Sequence, residues 1–218
     1  MNDNLALEKK ILEQKRKDIL NEVEQKKRYQ EEIQKKLISV TKEAKGSYSQ
    51  EKENTEKIYM LLKKEIENYE EALKNPYFGR VDFDEKFGSQ EKIYIGKKGI
   101  TSTYDGEEIV VDWRAPVADL YYSGTGGEAY YKAPMGVVEG DLNLKRKFLY
   151  NEENLSKIFD EGTNEIIING EEGEGLVDEF LKINLEESRG KKLKEVVATI
   201  QKEQNDIIRW PKNLPIIV

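Results

Sequence analysis

Two residue types are missing from this chain of 218 residues: cysteine and histidine. Without cysteine, the chain can form neither disulfides nor thiolate metal sites. Without histidine, it lacks the commonest general base, the usual pH-sensitive side chain and the commonest zinc ligand. Any metal would have to bind through carboxylate and carbonyl oxygens, which favours magnesium or calcium.

Long apolar runs are missing as well. No stretch approaches the roughly 20 residues that are needed to span a bilayer. The N-terminus MNDNLALEKK lacks the apolar core of a signal peptide. Charged residues make up 36% of the chain, and so much charge needs solvent-exposed surface. We therefore expect a cytoplasmic protein without membrane contacts, with one compact part and one elongated part.

The charge is unevenly distributed along the chain. The net charge is -7, although residues 1–74 hold 17 basic and 16 acidic side chains. Residues 160–187 hold ten acids and one base, Lys182. Nucleic-acid binding requires clustered Lys and Arg, so this balance counts against a large nucleic-acid footprint.

The first 75 residues have the pattern of two long helices. Residues 5–44 contain no Gly or Pro, and apolar residues recur there every seven positions, interrupted by Lys26. A turn follows, with Gly46 ending the first helix and Ser47 capping the second in a capping box with Gln50. The pattern predicts an antiparallel coiled-coil hairpin with a seam around Leu37, Leu62 and Ile66. The repeating residues are Leu5, Leu12, Ile19, Ile33 and Val40 in the first helix and Ile58, Leu61, Leu62, Ile66, Tyr69 and Leu73 in the second.

From Tyr77 the apolar period changes to two, which is typical of strands. Residues 76–152 therefore predict a small antiparallel barrel or sandwich, and the fold class is α+β. Residues 153–218 predict helices at 154–160, 176–184 and 191–210, then an apolar strand-like run at 214–218. The predicted strands are 78–83, 92–95, 99–104, 107–113, 120–122, 129–132, 136–138 and 145–150.

Five segments carry a family resemblance. They are NPYFGRVDF (75–83), KIYIG (92–96), VDWRAPVADLYY (111–122), EAYYKAPMGVVEGDLNLKRKF (128–148) and VVATIQKEQNDIIR (196–209). Together they resemble the N-terminal region of the HelD family. These are UvrD-like superfamily 1 proteins, often described as DNA helicase IV and known as ATP-driven recycling factors of bacterial RNA polymerase. The resemblance spans essentially the whole chain, and its most specific block is residues 112–116.

The resemblance implies a function for each part. The hairpin would enter the secondary channel of the RNA polymerase core, and a RecA-like motor domain, absent here, would follow residue 218. The longer parent would hydrolyse ATP with magnesium and could contact DNA through that motor, whereas this fragment would bind neither cofactor. Gln204 matches the family's adenine-reading glutamine. Gln201 lies where relatives often have Asn, so the adenine site would comprise Gln204 and Gln201.

Two other functions remain open. The chain could be the N-terminal region of a DNA helicase that moves on single strands, or a coiled-coil scaffold. Four tyrosines could stack on bases, although paired tyrosines on a strand usually place one ring in the core. Asp112 and Arg114 suggest a structural ion pair or a packing block at a strand end, and the hairpin-tip acids alternate with lysines. The tyrosines are Tyr121, Tyr122, Tyr130 and Tyr131, and the tip acids are Glu43, Glu51, Glu53 and Glu56.

We predict that this chain alone neither hydrolyses ATP nor binds it tightly. A phosphate loop supplies the backbone donors and the lysine that hold the β and γ phosphates, and one adenine-facing Gln204 cannot replace them. A magnesium-ATP assay should release no phosphate above the blank. Phosphate release that persists through purification would contradict the prediction.

Overall fold

The computed structural model describes residues 3–44, 48–86, 88, 90–124 and 126–161. Two long helices precede a seven-stranded sheet, so the fold is α+β as predicted. The helices are α1 (Asp3–Glu43), α2 (Gln50–Ala72) and α3 (Asp119–Ser123), the last preceded by a 3-10 turn at Pro116–Ala118. The strands are β1 (Gly79–Glu85), β2 (Gln90–Gly96), β3 (Ile100–Thr101), β4 (Glu108–Asp112), β5 (Gly127–Ala133), β6 (Gly136–Asn151) and β7 (Asn154–Glu161).

The helices α1 and α2 pack as an antiparallel pair. Lys26 of α1 pairs with Glu65 of α2 at 3.0 Å, and Lys36 of α1 pairs with Glu51 of α2 at 3.1 Å. The two helices therefore run in opposite directions. Lys26 also lies 5.1 Å from the centre of the Tyr69 ring, which explains how a cation is accommodated in the apolar register. The predicted seam of α1 is buried at Leu12, Ile19, Ile33 and Val40 and half-buried at Leu5.

The predicted stripe on α2 is correct only near the sheet. Ile66 and Tyr69 are buried, whereas Leu62 is half-buried and Leu61 is 68% exposed. Successive residues of a helix are about 100° apart, so Leu61 and Leu62 cannot both face α1. Ile58, also predicted in the stripe, is 41% exposed. Leu37, the predicted seam residue of α1, is half-buried.

The start of α2 differs from the prediction. Its N-cap is Ser49, whose hydroxyl accepts from the amide of Lys52 at 3.3 Å, and not Ser47. The side-chain amide of Gln50 donates to the side chain of Asn54 at 3.1 Å, so it forms a bond within the first turn of α2. Gly46 and Ser47 themselves lie outside the described residues.

Strand β6 organises the sheet. Residues 140–147 pair with β1 on one side, while residues 136–142 pair with β5 and residues 145–151 with β7 on the other. The strand order is β3-β4-β2-β1-β6-β5, and β2 and β4 run parallel. The sheet is therefore mixed, which corrects the expectation of a purely antiparallel one. Within the described residues the pairing forms an open path, and closure into a barrel or sandwich is not confirmed.

Two predicted elements have the wrong secondary structure, and one predicted break between strands is absent. Residues 120–122 lie in helix α3, and residues 154–160 lie in strand β7 instead of a helix. The two strands predicted at 136–138 and 145–150 form one strand, because Gly140 continues the ladder instead of turning it. A Cβ at Gly140 would lie 2.2 Å from the carbonyl oxygen of Asp84, so glycine is required there for close packing of β1. The elements predicted at 176–184, 191–210 and 214–218 lie outside the described residues.

Both faces of the sheet are covered. Neighbouring residues such as Tyr94 and Ile95 belong to different cores, as the alternation of a strand requires. One core lies between the sheet and the inner parts of α1 and α2, and includes Ile19, Ile66 and Phe148. The other is covered by the segment from the 3-10 turn through α3. In the part of the chain that the structure describes, no helix is long and apolar enough to cross a membrane.

We predict that Ile66→Ala lowers the free energy of unfolding by about 2–5 kcal/mol, the usual cost of truncating a buried aliphatic side chain. Leu61→Ala, on the same helix but exposed, should change it by less than about 0.5 kcal/mol. Urea denaturation followed by circular dichroism measures both. Equal losses in the two variants would contradict the described orientation of α2.

Candidate protein-interaction site

A buried carboxylate attaches α1 to the sheet. Glu8 is completely buried, and its Oε1 accepts hydrogen bonds from Arg80 and, at 2.7 Å, from Arg146. The hydroxyl of Tyr94 donates to its Oε2 at 3.2 Å. A buried carboxylate without partners would be strongly destabilising, so these contacts determine where this part of α1 can lie.

The two arginines lie directly opposite each other on β1 and β6. Like charges in this position repel, and each guanidinium is neutralised by a further acid. Asp82 binds Arg80 on the same strand, and Asp160 on β7 binds Arg146 through two bonds of 2.6 and 2.7 Å. Burial alone would lower the pKa of Arg80, but its bond to Asp82 and the nearby Glu8 raise the pKa above its ordinary value. Both arginines therefore remain charged.

Lys15 continues the contact between α1 and the sheet. Its Nζ donates to the carbonyl of Ile109 at 2.6 Å and lies 4.5 Å from the centre of the Tyr94 ring. Burial lowers the pKa of Lys15. The long side chain thus covers apolar sheet surface while its ammonium group remains bonded.

Arg16 connects α1 to two chain turns. Its guanidinium donates to the carbonyls of Leu73 at 2.9 Å and Lys74 at 2.5 Å, where α2 ends. It also donates to the carbonyl of Glu153 at 2.5 Å, in the turn between β6 and β7. Carbonyls at a helix C-terminus lack helical partners and carry partial negative charge, which a guanidinium satisfies.

Among the described bonds between the hairpin and the sheet domain, those nearest the hairpin tip involve Glu22 and Tyr69. Glu22 accepts from the amide of Thr103 at 3.0 Å and from its hydroxyl, and the Tyr69 hydroxyl accepts from the amide of Thr101 at 3.3 Å. We call residues 8–22 of α1 the mount and residues 24–65 the arm. At 1.5 Å per residue, the α1 side of the arm is about 30 Å long.

Each acid of the second helix near the arm tip has a lysine partner. Lysine partners of this kind leave little excess negative charge at the tip. The tip is therefore a zwitterionic surface, consistent with the alternating charges in the sequence. The pairs are Lys36–Glu51 at 3.1 Å, Lys57–Glu53 at 2.6 Å and Lys52–Glu56 at 3.7 Å.

The four tyrosines considered for base stacking are divided between core and surface. Tyr131 is half-buried and donates to Glu85 at 3.4 Å, while its neighbour Tyr130 is 60% exposed, which confirms the predicted alternation on that strand. Tyr121 is buried and Tyr122 is half-buried, but both lie on α3 and not on a strand. The four rings do not form a row of exposed aromatic side chains.

Two further groups of charged residues serve the fold. Arg114 binds Asp112 through two side-chain bonds of 2.7 Å at the end of β4, which confirms the predicted ion pair. Lys145 donates to the carbonyl of Gly124 at 3.3 Å, and the adjacent Arg146 is buried. The short basic run 145–147 is therefore used largely within the sheet.

The match to a known family covers both the mount and the arm. The family described as DNA helicase IV HelD, N-terminal domain, matches residues 5–174, more than three quarters of the chain. The chain belongs to the HelD family. A comparison with curated proteins finds no match. Gln201 and Gln204 lie beyond the family match and outside the described residues, so the adenine site stays a prediction.

Sequence reasoning missed Glu8 and Glu22. One acid on a helix rich in charges looks like a solvated side chain, and its burial depends on strands far along the chain. A usable signal lay in β1, where Arg80 and Asp82 alternate with Val81 and Phe83. When a strand is buried on both faces, the charged side chains of one face need compensating charges from another element.

We predict that Glu8→Ala lowers the free energy of unfolding by about 3–5 kcal/mol, because it leaves two buried guanidinium groups short of a partner. Glu13→Ala, an exposed site on the same helix, should cost less than about 0.5 kcal/mol. Chemical denaturation of both variants tests this. A neutral Glu8→Ala would mean that Asp82 and Asp160 suffice to compensate the arginines.

Proposed function

We propose that this chain is the N-terminal, partner-binding part of a HelD-like superfamily 1 ATPase. In this proposal the arm enters the secondary channel of the RNA polymerase core and promotes release of nucleic acid. The observation that carries it is an arm about 30 Å long, held on a sheet by buried ion pairs, in a member of the HelD family. The arm would be an antiparallel coiled coil in the sense predicted from its heptads.

The energy for this process would come from a motor domain in the longer parent protein. ATP and magnesium would be cofactors of that domain, with Gln204 and Gln201 contacting the adenine edge. The residues described here would not take part in hydrolysis. They would hold the arm in one orientation and would transmit movements of the sheet to it.

The structure supports a role for arm shape over arm charge. The acids Glu51, Glu53 and Glu56 are paired with lysines, and exposed pairs of this kind contribute little binding energy individually. A zwitterionic rod can enter a protein channel without strong attraction or repulsion from either sign of charge. We therefore expect steric occupation of the channel to displace nucleic acid.

The alternative is that this region belongs to a DNA helicase and contacts single-stranded DNA. Such contacts need exposed basic residues near the backbone. Arg80 and Arg146 are buried in ion pairs instead, and Lys145 is bonded to a carbonyl. These three basic residues are therefore committed to contacts inside the fold, and binding to single-stranded DNA is an outcome of the binding experiment.

We predict that an armless variant, in which a short Gly-Ser loop replaces residues 28–63, loses affinity for core RNA polymerase by at least about tenfold, or about 1.4 kcal/mol. The variant keeps the mount and the Lys26–Glu65 bridge, so the sheet should remain folded. Biolayer interferometry with the intact chain as reference measures the change. Deleting residues 1–74 would be a poorer test, because it removes Glu8 from between two buried arginines.

The matched control is Glu53→Gln, which leaves the arm in place and changes one tip charge. It should alter the affinity by less than about twofold, as expected for an exposed ion pair. If the armless variant still bound polymerase normally but lost binding to single-stranded DNA, the helicase alternative would replace the polymerase proposal.

A further inference from the structure

The loop between β3 and β4 presents an exposed aromatic ring. Tyr104 is 92% exposed, more than Tyr48 near the arm tip at 79% or Tyr130 on the sheet at 60%. Tyrosine is among the residues that most often dominate the energy of protein interfaces. An isolated exposed ring has little significance by itself, and what distinguishes Tyr104 is the way its loop is held.

The loop is closed by hydrogen bonds on both sides of the ring. The amide of Ser102 donates to the carbonyl of Glu107 at 2.9 Å, and the amide of Gly106 donates to the carbonyl of Ser102 at 3.0 Å. Gly106 has φ of 77°, the left-handed conformation that favours glycine. The amide of Tyr104 itself donates to the Ser102 hydroxyl at 3.3 Å. The backbone under the ring is therefore preorganised, and binding through it loses little conformational entropy.

The same loop is attached to the root of the arm. Thr103, the residue before Tyr104, donates through its amide and its hydroxyl to the buried Glu22 of α1. Thr101 donates to the hydroxyl of Tyr69 on α2. Tyr104 thus lies where the hairpin leaves the sheet, about 30 Å from the tip along α1. A protein that receives the whole arm must bring the surface around its entrance to this loop.

The charge around Tyr104 indicates the chemistry of that surface. Residues 99–113 contain no Lys or Arg, whereas Asp105, Glu107 and Glu108 surround the ring in sequence. On the adjoining hairpin, Lys26 already pairs with Glu65. An aromatic face flanked by carboxylates attracts guanidinium and ammonium groups. The complementary surface is one with exposed Arg or Lys beside apolar residues.

We propose that residues 102–107, with Tyr104 as the anchor, form a second docking point that binds a basic protein surface at the entrance through which the arm passes. This inference rests on the proposed function, so its partner is the RNA polymerase core. It adds a contact outside the channel to the insertion of the arm. The loop would also set the depth of insertion, because it meets the partner when the arm is fully inside.

The test compares three single variants of this chain for binding to core RNA polymerase. Tyr104→Ala should raise the Kd by about tenfold or more, as expected for an interface anchor. Tyr104→Phe should stay within about twofold of the unchanged chain, because the ring face and not the hydroxyl makes the contact. Tyr130→Ala, at a matched exposed tyrosine on β5 at the opposite edge of the sheet, should also stay within about twofold.

Tyr104→Lys provides a second, independent measurement. It places a cation against a basic surface, so the Kd should rise at least as much as in Tyr104→Ala. Since the side chain is almost fully exposed, each variant should unfold at the urea concentration of the unchanged chain. This comparison separates a binding effect from a folding effect.

The outcomes separate this inference from the proposed function. If Tyr104→Ala and Tyr104→Lys bind like the unchanged chain while the armless variant does not, the loop contact is overturned and arm insertion stands. If Tyr130→Ala weakens binding as much as Tyr104→Ala, the effect is not specific to the loop and the inference is again overturned. If the unchanged chain does not bind polymerase, both proposals fall.

Discussion

The placement of Glu8 between Arg80 and Arg146 is the interaction on which the rest of the molecule depends. Strands β1 and β6 bring two guanidinium groups opposite each other, and Glu8 of α1 bonds to both of them. A displacement of α1 by one turn would place Asn4 or Leu12 there instead. A buried ion pair adds little net stability compared with a well-packed apolar contact. We infer that its value here lies in fixing one position of α1 on the sheet.

Much of the fold could be predicted from periodicity, because the helix pair and most strands are amphipathic in the expected way. The failures occur where long-range packing overrides a local pattern. Residues 120–122 have strand-like composition, yet they follow Pro116, which begins a 3-10 turn and leads the chain into α3. Gly140 looks like a turn residue, but it serves the close approach of β1 to β6. Glu152, in the left-handed region, makes the tight turn that allows β7 to return along β6.

The candidate site was less accessible to prediction than the fold. The arm was predicted because heptads are a local signal. The mount was not, since the partners of Glu8 lie 72 and 138 positions away in the chain. Tyr104 posed the same problem. A tyrosine in a Gly-containing turn is unremarkable until the bonds from Thr103 to Glu22 locate it at the root of the arm.

The continuity of α1 has a mechanical consequence. The same helix forms the mount and one side of the arm, without a proline or glycine between residues 5 and 44 that could act as a hinge. Mount and arm therefore act as a lever whose fulcrum is the row of contacts from Glu8 to Glu22. A tilt of about 10° at the fulcrum would move the tip by roughly 5 Å, close to one turn of helix. Small rearrangements of the sheet would thus reach the tip as displacements large enough to change which residues it touches.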